Sequence, residues 1–338
     1  MSSIEIRNSV PRFCIAGAGA IGLTLATRLA MNAHRVELIA RGQSLSMIKE
    51  NGTRLIDLEG DHRASVKVGQ AIDFQAPDVL FLCCKAQDLQ TLASECAHLV
   101  DDQTLIVPVI NGIPWWYFQQ TTGKDAGRNV DAVDPDGLLN TIFPPKQIIG
   151  AVTTITVERV GPGVARSANP LSMVVGEINH EISERASALA LTLTECGIET
   201  RVSERIRDAL WAKVIANLIA NPLSVLTGAP LRDICGHPSL STITRRLLDE
   251  GLLVAAAYGA RIELDPDALL ALGASKGDFK TSMLQDFERG QPLELSAICD
   301  AVIELAQLRG IAMPLTANIA AIAAYRSGNS EKSRAVAA

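Results

Sequence analysis

A glycine-rich turn between an apolar strand and an apolar helix constrains the fold of this 338-residue chain more than any other feature. Phe13-Cys-Ile-Ala leads into the turn, and an apolar stretch follows it as far as Met31. In a GxGxxG turn the first glycine permits the tight bend, the second lets the backbone approach a pyrophosphate, and the third allows close packing of helix on strand. We therefore expect the whole turn to bind dinucleotide phosphates at the helix N-terminus: Gly17, Ala18, Gly19, Ala20, Ile21 and Gly22. The alternative is a glycine-rich turn that binds no nucleotide.

Apolar strands continue to alternate with helical segments beyond this turn. Val36-Glu-Leu-Ile-Ala, Val79-Leu-Phe-Leu-Cys-Cys and Thr104-Leu-Ile-Val-Pro-Val-Ile are the clearest of them. This pattern predicts an α/β fold whose N-terminal part is a Rossmann-type, doubly wound parallel sheet. Between these strands, residues 54–68 alternate like a surface hairpin that turns at Glu59-Gly60-Asp61.

From Ser203 onward, long helical patterns replace the strand signals. We expect a nucleotide-binding domain over residues 1–202, a second, all-α C-terminal domain over residues 203–330, and a flexible tail over residues 331–338. Residues 119–145 are rich in Gly, Asp, Asn and Pro and predict a long loop, which is either a functional lid or partly disordered.

Composition excludes several classes of protein. The content of 48% hydrophobic and 20% charged residues is that of a globular protein, and a net charge of −6 argues against nucleic acid or an anionic membrane as partner. Residues 1–11 have no apolar core of signal-peptide length, and no run approaches the ~20 apolar residues of a membrane span. Seven scattered cysteines without a CxxC pair, and isolated histidines, predict no metal site. A cytoplasmic location is expected.

The end of the second strand predicts which nucleotide is bound. A fold that prefers NAD carries Asp or Glu there to hold the ribose 2′-hydroxyl, whereas this chain has Ala40-Arg41-Gly42. The Arg41 guanidinium suits a 2′-phosphate, so NADP, as NADPH, is favoured over NADH. The alternative for Arg41 is a solvated loop cation.

A polar stripe on an apolar helix marks a second candidate site. Lys213, Asn217 and Asn221 recur at every fourth residue, which places them on one helix face with a drift of about 40° per step. Buried amine and amide groups are costly unless they meet a polar partner, and a ligand is the simplest candidate. Alternatively, the lysine snorkels, the asparagines bond to the backbone, and Asn221-Pro222 ends the helix.

With these residues the chain resembles the ketopantoate reductase (2-dehydropantoate 2-reductase) family, whose members reduce a 2-oxo acid with NADPH. The similarity spans nearly the whole chain. Its specific markers follow one another in order: Ile39-Ala-Arg-Gly, Lys85-Ala, Asn111-Gly-Ile-Pro-Trp-Trp, Trp211-Ala-Lys-Val with Asn217 and Asn221-Pro-Leu, and Ser282-Met-Leu-Gln-Asp with Glu294.

The resemblance implies a role for each marker. Lys213 matches the catalytic lysine, which would protonate the carbonyl oxygen as hydride arrives, and Glu294 matches the acidic site residue that would accept a bond from a substrate hydroxyl. The remaining matches are to substrate-binding positions (Asn111, Asn217, Asn221, Ser282) and to cofactor-cleft positions (Lys85, Asn111). A small-molecule 2-oxo acid is the implied partner, and a homodimer is allowed.

Each marker also has a structural alternative. Lys85 fits a solvated loop, Glu294 a carboxylate at a helix N-terminus, Ser282 a helix N-cap, and Asn111-Gly112 an ordinary turn. The chain departs from the family pattern at Ile110, where Gln is frequent, and at Glu294-Leu-Ser296, where Glu-Ile-Asp is frequent. Two further functions therefore stay open: reduction of another 2-oxo acid or carbonyl, and non-enzymatic NADP sensing.

Overall fold

A computed structural model describes residues 11–263 and 265–337, with side chains described as far as residue 328. The expectation about a signal peptide rests on residues that lie outside this range, except for Pro11. By packing, the described chain divides into two compact units. The first comprises residues 11–110, Trp115–Asn129 and Asp136–Ala209, and the second comprises Asn111–Pro114, Val130–Pro135 and residues 210–337. The sequence placed the boundary at residue 202 and did not anticipate the two short segments.

Twelve strands belong to the first unit. In chain order they are β1 (Arg12–Ala16), β2 (Arg35–Ile39), β3 (Thr53–Asp57), β4 (Gly60–Ala64), β5 (Lys67–Gly69), β6 (Val79–Leu82), β7 (Leu105–Pro108), β8 (Ile149–Thr153), β9 (Val157–Gly161), β10 (Val164–Ser167), β11 (Ser172–Glu177) and β12 (Glu199–Val202). Its helices are α1 (Ala20–Met31), α2 (Gly42–Asn51), α3 (Leu89–Cys96), α4 (Leu138–Ile142) and α5 (Glu184–Glu195).

The main sheet has the strand order β5-β2-β1-β6-β7, and every pair in it is parallel. Ile15, Leu38 and Phe81 on its central strands are fully buried, as expected for a parallel sheet covered on both faces. The predicted Rossmann-type sheet is thereby confirmed. The chain leaves β1 toward β2 on one side and later returns to β6 on the other, so the strand order reverses between β1 and β6, where such folds bind ligands.

Two smaller sheets complete the first unit, with the orders β4-β3-β10-β9 and β12-β11-β8. The predicted hairpin is present as the antiparallel pair β3 and β4, in which Asp57 stands opposite Gly60. Its predicted extension to Val68 is wrong, because Val68 pairs with Leu38 in the main sheet. An apolar residue gains more from that buried sheet than from an exposed hairpin edge.

The second unit is built from helices, which confirms the predicted all-α part. They are α6 (Ile206–Thr227), whose first turn belongs to the first unit, then α7 (Leu231–Gly236), α8 (Pro238–Ala257), α9 (Pro266–Ala274), α10 (Ser282–Arg289), a π-helical turn (Ser296–Asp300), α11 (Ala301–Leu308) and α12 (Pro314–Ala337). The last helix runs through most of the predicted tail, and Ala338 lies outside the described residues.

Helix α6 does not end at Pro222, although proline lacks the N–H that the helical ladder needs. The Ser224 hydroxyl donates to the Asn221 carbonyl at 2.7 Å, just past the interruption. By length and hydropathy α6 resembles a membrane span, with a mean of 1.4 over its most apolar window. The expectation that no run approaches such a span is therefore wrong. Because 67% of that window is buried inside the protein, packing accounts for its apolar character.

The Gly- and Asp-rich segment 119–145 folds into turns and the short helix α4, with Asp134 and Phe143 fully buried. In the second unit, Glu304 on α11 accepts hydrogen bonds from the backbone N–H groups of Asp131 and Ala132, at 2.9 and 2.8 Å. The carboxylate thereby fastens the middle of this segment to a helix.

Candidate active site

The glycines of the phosphate turn have separate reasons for being glycine. Gly17 has a φ of +117°, and a Cβ there would lie 2.4 Å from the Cys83 carbonyl oxygen. A Cβ on Gly22 would lie 1.9 Å from the Gly17 carbonyl oxygen. Both glycines are therefore required by the packing of the chain itself.

Gly19 is not required in that way. Its φ is −76°, and an added Cβ would make one ordinary contact, 3.8 Å from the Cys83 carbonyl oxygen. The turn is partly exposed, and α1 begins after Gly19 with neither a side-chain cap nor an acidic residue in its first turn. The N–H groups at this helix N-terminus are thus available to an anion, and a dinucleotide pyrophosphate fits the site.

Arg41 and Lys85 follow neighbouring strands of the same sheet. Arg41 precedes α2, its side chain is 65% exposed, and its guanidinium lies 3.8 Å from Glu95 Oε1. Lys85 follows β6, is partly buried and begins a short 3₁₀ turn. Both residues therefore lie on the carboxyl-end side of strands that flank β1.

The second unit brings Lys213 and Glu294 into electrostatic interaction. Lys213 on α6 is partly buried, and desolvation lowers the pKa of its amine to about 8, while the Glu294 charge opposes that shift. Glu294 is only 4% exposed and lies just before the π-helical turn. Its Oε2 accepts a hydrogen bond from Asn111 Nδ2 at 3.3 Å. A lysine with this pKa is able to donate a proton near neutral pH.

The two asparagines of the stripe share the α6 face with Lys213. Asn217 is partly buried, and Asn221 is 3% exposed. Asn221 Nδ2 is buried without a hydrogen-bond partner among the described residues. A buried donor left unsatisfied costs about 1–3 kcal/mol, and a bound carboxylate or carbonyl oxygen would remove that cost.

Ser282 is exposed and is the first residue of α10, but it is not the N-cap that its structural alternative proposed. Thr281 is the N-cap, and its Oγ1 accepts from the Leu284 N–H at 3.1 Å. The same oxygen lies 2.6 Å from Ser224 Oγ on α6, and both side chains are buried. Because the Ser224 hydroxyl donates to the Asn221 carbonyl, the Thr281 hydroxyl donates to Ser224. This chain of hydroxyls fastens the start of α10 to the end of the stripe.

Sequence reasoning missed Thr281, Ser224 and Arg207. Ser224 continues the polar stripe three residues past Asn221, and threonine is a preferred N-cap residue, so the sequence contains a signal for both Ser224 and Thr281. Arg207 left none. It is buried, donates to the carbonyls of Tyr117, Gln119 and Ile178, and has its pKa lowered to about 10 by desolvation. It anchors the first turn of α6 to the residues that follow Trp116.

Trp115 and Trp116, which end the marker Asn111-Gly-Ile-Pro-Trp-Trp, are each 1% exposed. The Trp115 ring packs on Phe143, and the Arg207 guanidinium lies over the Trp116 ring. Within residues 11–263 and 265–337, no group of three His, Cys, Asp or Glu side chains is placed to hold a metal ion.

A glycine-rich turn that begins a helix in a parallel sheet fits a dinucleotide, and a lysine of lowered pKa that interacts with a buried carboxylate fits a proton donor. Nucleotide-dependent oxidoreductases have both features. Comparison with known proteins makes the assignment narrower. The family described as ketopantoate reductase PanE/ApbA matches residues 13–180, and its C-terminal part matches residues 205–326. The chain belongs to the ketopantoate reductase family and is an NAD(P)-dependent oxidoreductase acting on a small molecule.

Individual relatives agree with this assignment. The 2-dehydropantoate 2-reductase of Mesorhizobium japonicum is 36% identical over 300 residues, which cover 88% of this chain and 92% of the relative. A Ralstonia solanacearum structure, assigned provisionally as a ketopantoate reductase, has a TM-score of 0.90 and 31% identity and covers 95% of this chain and 99% of its own.

A more distant structure shows the fold alone. It is a D-mandelate dehydrogenase solved with NADH and anilino(oxo)acetate, with a TM-score of 0.80, 20% identity and coverage of 94% of this chain and 99% of its own. Its chemistry belongs to that protein.

Proposed function

We propose that this protein reduces a 2-oxo acid with NADPH, and that 2-dehydropantoate (ketopantoate), which yields pantoate, is the substrate. The observation that carries the proposal is the interaction of Lys213 on α6 with buried Glu294. The same helix carries Asn221, whose Nδ2 is buried without a hydrogen-bond partner among the described residues. Family membership and the Mesorhizobium japonicum relative support the substrate.

Lys213 is the proposed general acid. When bound, NADPH would supply the hydride that the C2 carbonyl carbon takes up, and the carbonyl oxygen would then need a proton. Lys213 Nζ donates that proton, because its lowered pKa, about 8, keeps the amine charged near neutral pH but ready to release the proton. The same positive charge stabilises the developing alkoxide before the transfer is complete.

Glu294 has a double role in this proposal. Its charge keeps Lys213 protonated against the cost of burial, and a carboxylate oxygen accepts a hydrogen bond from the substrate hydroxyl. Asn111 holds the carboxylate in place through the 3.3 Å bond to Oε2. The carboxylate is thereby fixed before substrate binds.

Neutral side chains bind the substrate carboxylate. Asn217, Asn221 and Ser282 donate hydrogen bonds without competing with Lys213 for the negative charge. Asn221 contributes most, since its buried Nδ2 gains a partner that the described protein does not supply.

The cofactor is held by the first unit. The α1 N-terminus and the backbone of Gly17–Gly22 bind the pyrophosphate, Arg41 binds the 2′-phosphate, and Lys85 contributes at the end of β6. The absence of a carboxylate at the end of β2 supports NADPH over NADH.

A substrate panel tests the proposal. Purified protein is given NADPH or NADH with ketopantoate and a series of other 2-oxo acids, and kcat/KM is measured for each pair. Ketopantoate with NADPH is expected to give the highest value. A higher value for another 2-oxo acid keeps the chemistry and replaces the substrate, whereas tight NADPH binding without turnover of any carbonyl overturns the reductase assignment.

We also propose a cytoplasmic location for this protein. A homodimer stays a prediction. Light scattering of the purified protein at catalytic concentration measures the assembly directly.

A further inference from the structure

Gly112 packs against the backbone of Ala297 at a distance that only glycine permits. A Cβ on Gly112 would lie 2.3 Å from the Ala297 carbonyl oxygen, 2.4 Å from its carbonyl carbon and 2.7 Å from its Cβ. Gly112 also has a φ of +84°, a conformation that L-residues with side chains rarely adopt. Conformation and packing thus exclude a side chain independently.

A main-chain hydrogen bond fixes the same contact. The Ile113 N–H donates to the Ala297 carbonyl at 2.8 Å, and Ile113 and Ala297 are each 1% exposed. Ala297 lies in the π-helical turn Ser296–Asp300. π-Helical turns are rare, and they occur frequently at functional sites. Here the turn docks the chain that follows β7.

Each of the two chain segments that form this contact also carries a residue of the proposed site. Asn111 precedes Gly112, and Glu294 lies three residues before Ala297. The side chains of Asn111 and Glu294 are hydrogen-bonded at 3.3 Å. Two segments far apart in sequence are therefore joined by a main-chain contact and, beside it, by a side-chain bond to the buried carboxylate.

We propose that Gly112 and the π-helical turn at Ala297 are positioning elements of the reductase, which hold Asn111 against Glu294 and so set the direction of the Glu294 carboxylate. The inference rests on the proposed function for the roles of Lys213 and Glu294. It adds that glycine at position 112 serves the site, through Asn111, rather than the stability of the fold alone.

A double-mutant cycle tests this inference on the full-length protein. Gly112→Ala is expected to lower kcat/KM for the best 2-oxo acid about 100-fold, because small displacements of site groups are that costly. If Gly112 acts through Asn111, the same substitution made in Asn111→Ala protein lowers kcat/KM by less than about threefold more. Equal losses in the two backgrounds would assign Gly112 a structural role only and overturn the inference.

Gly52→Ala is the matched control. Gly52 has a φ of +69°, and its Cβ would lie 2.4 Å from the Ala64 carbonyl oxygen, so backbone strain and collision resemble those at Gly112. Gly52 caps the C-terminus of α2 in the first unit, whereas Asn111, Lys213 and Glu294 belong to the second unit. Its substitution is expected to change kcat/KM by the same factor with and without Asn111→Ala.

A second variant and a second readout keep the outcome decisive. Ala297→Val crowds Gly112 from the opposite side without straining the φ of Gly112, and it is taken through the same cycle if Gly112→Ala does not fold.

The cycle is also measured by urea unfolding. Asn111→Ala is expected to reduce about fivefold the effect of Gly112→Ala, or of Ala297→Val, on the unfolding equilibrium constant. Wild-type protein that turns over no 2-oxo acid refutes the proposed function, whereas additive unfolding effects refute the positioning contact.

Discussion

Gly19 and Gly22 stand in one short turn, but only Gly22 is required by the packing of the chain. Gly19→Ala is expected to fold as the wild type does, because its Cβ would meet protein only at 3.8 Å, and to raise the Kd for NADPH about tenfold by obstructing the pyrophosphate. Urea unfolding and NADPH fluorescence titration on the same preparation measure the two effects.

Gly22→Ala is the contrasting variant. Its Cβ would lie 1.9 Å from the Gly17 carbonyl oxygen, so we expect a loss of stability of about 1–3 kcal/mol from overpacking. If Gly19→Ala were the less stable of the two proteins, the assignment of Gly19 to ligand approach would be wrong.

The Arg41 guanidinium, exposed and 3.8 Å from Glu95, is free to turn to a phosphate at little cost. Arg41→Ala is expected to raise KM for NADPH about 10- to 100-fold, because a charge-assisted hydrogen bond contributes about that factor to affinity. KM for NADH should stay nearly unchanged. Lys49→Ala is the control, because it removes an exposed cation from the last turn of α2, the helix that Arg41 precedes. Equal increases for both nucleotides would show that Arg41 does not contact the 2′-phosphate.

The pKa of Lys213 predicts the pH dependence of the reaction. The proposed acid must carry its proton, and the protonated fraction falls about tenfold per pH unit above a pKa of about 8. The value of kcat/KM is therefore expected to fall as pH rises past about 8. Residual activity of Lys213→Arg should lack this decline, because a guanidinium keeps its proton. A wild-type profile that stays flat beyond about pH 9 is incompatible with the assignment.

Individual site residues could be predicted from the sequence where the signal is local. The spacing of Lys213, Asn217 and Asn221 predicted one helix face, and the structure confirms that they share α6. Asn111 and Glu294 are separated by most of the chain, and only the resemblance to a family connected them before the structure did. The burial of Arg207 among three carbonyls has no local signature, since nothing in its neighbours in the sequence requires it.

At the level of elements, α10 depends on Thr281 for its attachment to α6. Thr281→Val removes an N-cap worth about 1 kcal/mol and a buried bond to Ser224, so a loss of about 1–2 kcal/mol in the free energy of unfolding is expected. Thr242→Val, on the exposed face of α8, should stay within about 0.5 kcal/mol of the wild type. Urea denaturation compares the two, and equal values would mean that the hydroxyl chain does not hold the helix.

Element boundaries were predicted best where propensity and packing agree. The pattern of Ser282–Arg289 in the sequence predicts a helix with those bounds, and α10 has them. The alternative in which Asn221-Pro222 ends the helix is wrong, because the burial of Leu223 and Val225 favours continuation of α6 despite the lost N–H. The π-helical turn was not predicted, and its Ala297 packs against Gly112, a residue far away in the sequence.

For the whole molecule, the predicted combination of a parallel sheet and a helical part is confirmed. The periodicity of the sequence does not predict, however, which short segments pass from one unit to the other. Residues 111–114 and 130–135 leave the first unit for the second and return. They do so for specific reasons: Gly112 packs on Ala297, and Glu304 binds the N–H groups of Asp131 and Ala132. Such pairings over long sequence separations leave no periodic trace in either partner.

The central claim is that Lys213 donates the proton in an NADPH-dependent reduction. Turnover of Lys213→Ala at saturating NADPH and ketopantoate, with the NADPH Kd determined on the same sample, tests it most directly, and Lys276→Ala, an exposed lysine of the second unit, is the control. We predict that kcat falls about 10²- to 10⁴-fold in Lys213→Ala, while the Kd for NADPH and the activity of the control are unchanged. Wild-type turnover in Lys213→Ala would contradict the account.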